Sequence, residues 1–161
     1  MPAMTGQFFF TTVAALALST AGFVSLVTAL RRQGHWSKTE LWRLRAIVSE
    51  SLTITLVAML PLPIYYAVGA DEGLTFRIVS GALVLKFVLA IRSAIGERGV
   101  WGRRYAIQAV ALLGIQLAAQ VANLFLGSLP LLMFGLLAWF SFPVQLLFAV
   151  IRDFQPPVEG G

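Results

Sequence analysis

Hydrophobic positions in this chain do not alternate, and they do not keep to one helical face. They fill whole stretches. Five such runs, at about residues 8–30, 38–60, 73–93, 105–126 and 131–151, are each near the ~20 residues that a helix needs to cross a bilayer core. The pattern predicts an all-α, polytopic integral membrane protein. Its five transmembrane helices form a single bundle over residues 1–152. A mobile cytoplasmic tail, with Pro156, Pro157 and a Gly pair, follows from residue 153.

Local signals mark where the helices begin and end. The first run has no Lys or Arg before it and exceeds the ~7–15 residue core of a signal peptide, so it reads as a retained helix. Ser37 with Glu40 is a capping-box pattern and predicts that the second helix starts near Lys38. Pro61 and Pro63 end or kink it, since each removes a backbone donor. Tyr65 and Tyr66 then fit an interfacial belt. Asp71 or Glu72 suits the start of the third helix, where negative charge complements the dipole. Pro130 suits the first turn of the fifth helix, and Pro143 predicts a bend in it.

Two lines of small residues stand out. Thr11, Ala15, Ser19 and Gly22 form one on the first helix. Gly114, Ala118 and Ala122 form another on the fourth. Such lines let helix backbones approach closely in lipid. The fourth helix carries Gln116, Gln120 and Asn123 on its other side and is expected to be central.

Composition agrees with this picture. Of 161 residues, 58% are hydrophobic and only 12% are charged, about half the share of a soluble domain. A soluble fold this small could not hide so much apolar surface. The net charge of +5 does not point to nucleic acid, because the basic residues fall in short loops between apolar runs. The absence of cysteine excludes disulfides and thiol chemistry.

The loops also predict orientation. Arg31, Arg32, Lys38, Arg43 and Arg45 flank the first connection. Arg92, Arg98, Arg103 and Arg104 flank the third, and Arg152 follows the last helix. The second connection holds Asp71 and Glu72, with Arg77 nearby. By the positive-inside rule the N-terminus is outside and the C-terminus cytoplasmic, in a plasma or inner membrane. Trp36, Trp42, Arg43, Arg45, Trp101, Arg103 and Arg104 are the expected membrane-interface anchors. The lipid bilayer is the expected partner, with anionic headgroups at the cytoplasmic loops. A homo-oligomer or a larger membrane complex is also open.

Charge inside the runs is the remaining signal. Counted at ~1.5 Å per residue from the basic edge, Glu50 lies ~8 Å deep and Lys86 ~9 Å. Gln108 lies ~6 Å deep and Gln145 ~10 Å on the same count. Glu50, Lys86, Gln108 and Gln145, with Gln116, Gln120 and Asn123, form the candidate intramembrane polar site. Membrane charges are expensive and usually pair or face the bundle interior. A Glu50–Lys86 ion pair between adjacent helices is the preferred arrangement. Snorkelling of Lys86, or a Glu50–Arg43 pair, is the alternative.

Catalytic chemistry finds little to use. His35 is the single histidine, no phosphate-binding glycine loop has its strand–loop–helix context, and no cofactor or metal ligand set is legible. The expectation is a non-catalytic membrane protein of structural or accessory kind. A channel or transporter for a small solute or ion, using the polar layer, is the alternative. An enzyme acting on lipid ranks third.

Overall fold

A computed structural model describes residues 3–30, 38–96 and 103–153. Its helices are α1 (Gln7–Leu30), α2 (Lys38–Met59), α3 (Pro61–Ala67), α4 (Glu72–Gly96), α5 (Arg103–Leu126) and α6 (Leu129–Asp153). No strand occurs among the described residues. Among the described residues, four helical stretches are long and apolar enough to cross a membrane: Gln7–Ala29, Lys38–Ala67, Glu72–Ser93 and Leu129–Arg152. The apolar part of α5, Val110–Leu126, is shorter. Residues 31–37, 97–102 and 154–161 lie outside the description. With them go the expected anchors Trp36 and Trp101, the Ser37 cap, His35 and the mobile tail.

Proline divides α2 from α3 without turning the chain away. Leu60 keeps right-handed helical dihedrals (φ −57°, ψ −37°), and Pro61 opens α3. Its missing N–H interrupts the ladder there, as proline does inside any helix. α3 then ends on Gly69 and Ala70, both at positive φ, with Ala70 N–H donating to Tyr65 O at 2.8 Å. Tyr65 is buried in the core, where an interfacial position was expected, while Tyr66 stays exposed. Their opposite fates follow from adjacent positions on a helix, which point about 100° apart.

One end of the bundle is tied together by short bonds. Thr5 N–H donates to Glu72 Oε1 at 2.6 Å, and Leu74 N–H to Asp71 Oδ1 at 2.9 Å, which caps α4. The α5–α6 turn packs here too. Gly127 has φ +60°, and a Cβ on it would lie 2.8 Å from Gly73 O, so only glycine fits. The other end carries the starts of α2 and α5 and the ends of α1, α4 and α6.

The helices pack as two pairs, α1 with α2 and α4 with α5, and α6 lies between them. α1 presents Phe10, Val13, Ala14, Ala17, Ala21 and Val24 inward at helical spacing. α2 and α4 do not pack along their lengths, so they are not the close hairpin that their succession suggests. The main apolar core gathers residues of α1 to α4 and α6, including Phe10, Ile54, Tyr65, Leu83, Phe87, Leu136 and Trp139.

α6, not α5, is the central helix. α5 turns Gln116, Gln120 and Asn123 inward and exposes Ile107, Leu112, Ile115, Phe125 and Leu126. Its small-residue line is not a packing seam. Ala118 and Ala122 are exposed, and a Cβ on Gly114 would meet nothing within 4 Å. In lipid an unsatisfied polar group costs several kcal/mol, so the amides decide which side of α5 is inside. The line on α1 is also outward: Ala15, Ser19 and Gly22 are exposed.

Candidate functional site around Glu50

Glu50 projects from the middle of α2 towards both α4 and α6. Lys86 Nζ on α4 donates to Glu50 Oε1 at 2.8 Å. Trp139 Nε1 on α6 donates to Glu50 Oε2 at 2.7 Å. The Lys86 ammonium also lies 5.2 Å from the Trp139 ring centroid, within cation–π range. Phe87, the next residue on α4, meets the same indole edge-on, with centroids 6.0 Å apart. One tryptophan thus joins Glu50 through its N–H, and Lys86 and Phe87 through its ring.

Both carboxylate oxygens are engaged by donors from other helices, which is how a membrane charge is tolerated. The side chains of Lys86 and Glu50 are 28% and 23% exposed, so the pair is sheltered without being sealed. Trp139 is buried. Pro143, one turn further along α6, has no N–H to offer the Trp139 carbonyl. The helix ladder is therefore weakest beside the residue that closes the site.

The glutamine side of α5 runs away from this cluster in steps. Gln120 Nε2 donates to Leu131 O at 2.7 Å, tying α5 to α6. Asn123 Nδ2 donates to Ser80 Oγ on α4 at 2.9 Å, and Asn123 Oδ1 accepts from Ser128 N–H at 2.6 Å. Gln120 lies directly on Gly135, where a Cβ would come within 2.8 Å of its Cδ. Among the described residues, three buried polar atoms have no hydrogen-bond partner: Gln116 Oε1, Gln120 Oε1 and Ser51 Oγ. Three other α2 hydroxyls are satisfied. Ser49, Thr53 and Thr55 bond back to their own helix, and Thr55 also reaches Ala14 O of α1 at 3.3 Å.

Among the predicted residues, then, Glu50 and Lys86 meet, and Gln116, Gln120 and Asn123 line the α5 interior. Gln145 does not join them, because it is exposed. The side chain of Gln108 lies outside the description. Of the expected anchors, Trp42 and Arg43 are half-buried and Arg45 is exposed, while the side chains of Arg103 and Arg104 are also outside the description. Trp139 was missed, although a tryptophan far from either end of a span is itself a signal, since indoles normally settle at interfaces. Among the described residues, no three His, Cys, Asp or Glu side chains come together as a metal site.

The arrangement can hold helices together, and it can hold an ammonium against a carboxylate and an indole. The chain matches no protein-family model, no curated protein and no solved structure.

Proposed function

We propose that this is a non-catalytic integral membrane protein of structural or accessory kind, in which Glu50, Lys86 and Trp139 fasten three helices. The observation that carries this reading is the full engagement of Glu50 by donors on α4 and α6. A carboxylate bound on both oxygens is poorly placed to act as a base or to release an ion. The plasma or inner membrane, with the N-terminus outside, remains the proposed setting on the basis of the loop charges.

Transport is the second reading. Buried Gln116 Oε1 and Gln120 Oε1 lack partners, and such groups normally find water or a ligand. In this reading Glu50, Lys86, Gln116, Gln120 and Asn123 line the path.

Liposome flux separates the two. Reconstituted protein is expected to give no more proton, potassium or chloride flux than empty vesicles. Flux that Glu50→Gln or Gln120→Leu abolishes, while the fold survives, would replace the structural reading with the transport one.

A further inference from the structure

α1 and α2 leave a groove between them at the end of the bundle that carries Arg45. Its volume is about 590 Å³, and it is shallow, with Ser25, Thr28, Arg45, Ser49 and Leu52 all exposed along it. Ser25 and Thr28 of α1 form one wall, and Leu44, Val48, Ser49 and Leu52 of α2 the other. Across Leu44 a smaller apolar recess of about 150 Å³ continues towards Leu147 and Val150 of α6.

The hydroxyls in the groove demand nothing from an occupant. Ser25 donates to Ala21 O, Thr28 to Val24 O and Ser49 to Ala46 O, all within their own helices. The walls are therefore effectively aliphatic. The exception is Arg45, which is exposed and makes no hydrogen bond or ion pair with the described residues. Leu52 lies seven residues deeper, ~10 Å along the helix. Lys38 lies seven residues the other way, on nearly the same face, and is also exposed.

We propose that this groove is a binding site for a single anionic phospholipid. Its phosphate sits on Arg45, with Lys38 at the headgroup, and one acyl chain runs along the groove towards Leu52. A planar guanidinium matches phosphate oxygens in a fork. Phosphatidylcholine offers the same phosphate, but its choline cation is repelled by Arg45 and Lys38, so the net charge of the headgroup sets the preference. Basic pockets between helices are a known form of anionic-lipid recognition. An apolar helix from a second copy could fill the groove but would leave the Arg45 guanidinium without an anion, which a lipid phosphate supplies.

The test uses full-length protein reconstituted in vesicles of equal parts phosphatidylglycerol and phosphatidylcholine. The protein is then released into mild detergent and weighed intact with its retained lipid. Retention of a single phosphatidylglycerol per chain, in preference to phosphatidylcholine, is expected. Arg45→Gln should lower that preference about fivefold, which matches the ~1 kcal/mol of a basic residue near anionic lipid. Arg92→Gln, at an exposed arginine of α4, should leave it unchanged. Ser25→Phe, which fills the groove, should lower retention of both lipids. Equal retention of the two lipids by the wild type would overturn the proposal. So would an equal effect of Arg92→Gln, which would mean diffuse charge. Displacement of the lipid by inorganic phosphate alone would reduce the site to an anion site, and a Ser25→Phe effect on oligomeric state without lipid loss would assign the groove to a second copy. If Ser25→Phe does not fold, the two arginine variants still decide the matter.

Discussion

Trp139 Nε1 donates to Glu50 Oε2 at 2.7 Å, across the boundary between the last helix and the second. This bond makes the Glu50–Lys86 pair more than a link between α2 and α4. Those two helices do not pack along their lengths, so a direct ion pair between them would be poorly braced. The indole stands between them, holds the carboxylate and offers its face to the ammonium.

Removing either charge should leave the other uncompensated. Glu50→Gln and Lys86→Met are each expected to destabilise the protein by about 2 kcal/mol, the scale of a hydrogen bond to a charged group. The double variant should recover at least half of the summed loss. Unfolding in mixed micelles, followed by circular dichroism, measures the cycle. Strict additivity would mean that the two side chains are energetically independent despite their contact.

Trp139→Phe keeps most of the ring, its contact with Phe87 and its face towards Lys86, but removes the N–H. The expected loss is again ~1.5–3 kcal/mol, from the carboxylate bond alone. Trp139→Leu should lose more, since the aromatic contacts go as well. Equal stability of Trp139→Phe and wild type would show that the bond contributes nothing.

Two glycines with similar sequence settings should behave in opposite ways. Gly135→Ala drives a methyl group into the Gln120 side chain and displaces its bond to Leu131 O; overpacking of this kind costs about 1–3 kcal/mol. Gly114→Ala meets open space and should be neutral, or stabilising by up to ~1 kcal/mol through helix propensity. The same melts compare them. A stable Gly135→Ala protein would mean that Gln120 has another place to go.

The natural absence of cysteine makes topology simple to read. Thr5→Cys and Arg152→Cys should label from opposite sides of sealed vesicles, with position 5 on the outer side of intact cells. Labelling from the same side would remove one span from the bundle.

Where helices start was legible because caps, charged loops and hydrophobic length act locally, as at Lys38 and Glu72, but Pro61 and Pro63 do not end the second stretch, which runs on to Ala67. Depth was legible for Glu50 and Lys86, which lie five and six residues from Arg45 and Arg92. The same count failed on α6. It selected Gln145, yet Trp139 meets Glu50, six residues further from Arg152. Six residues amount to about 600° of helical rotation, so Gln145 points well away from the face that carries Trp139. A one-dimensional depth ruler knows neither how far each helix projects nor how it is turned.

Sequence by itself determined that the chain is helical and suited to a membrane, because a continuous apolar run leaves the backbone no other way to satisfy its hydrogen bonds in lipid. It also determined which charges had to find company. Only the tertiary structure decided the company. Helices of nearly uniform apolarity carry no strong preference for one face, so their rotation is settled by a few packing and hydrogen-bonding choices. Those choices put Trp139 against both Glu50 and Lys86, turned the amides of α5 inward and its small residues outward, and left the groove beside Arg45 open.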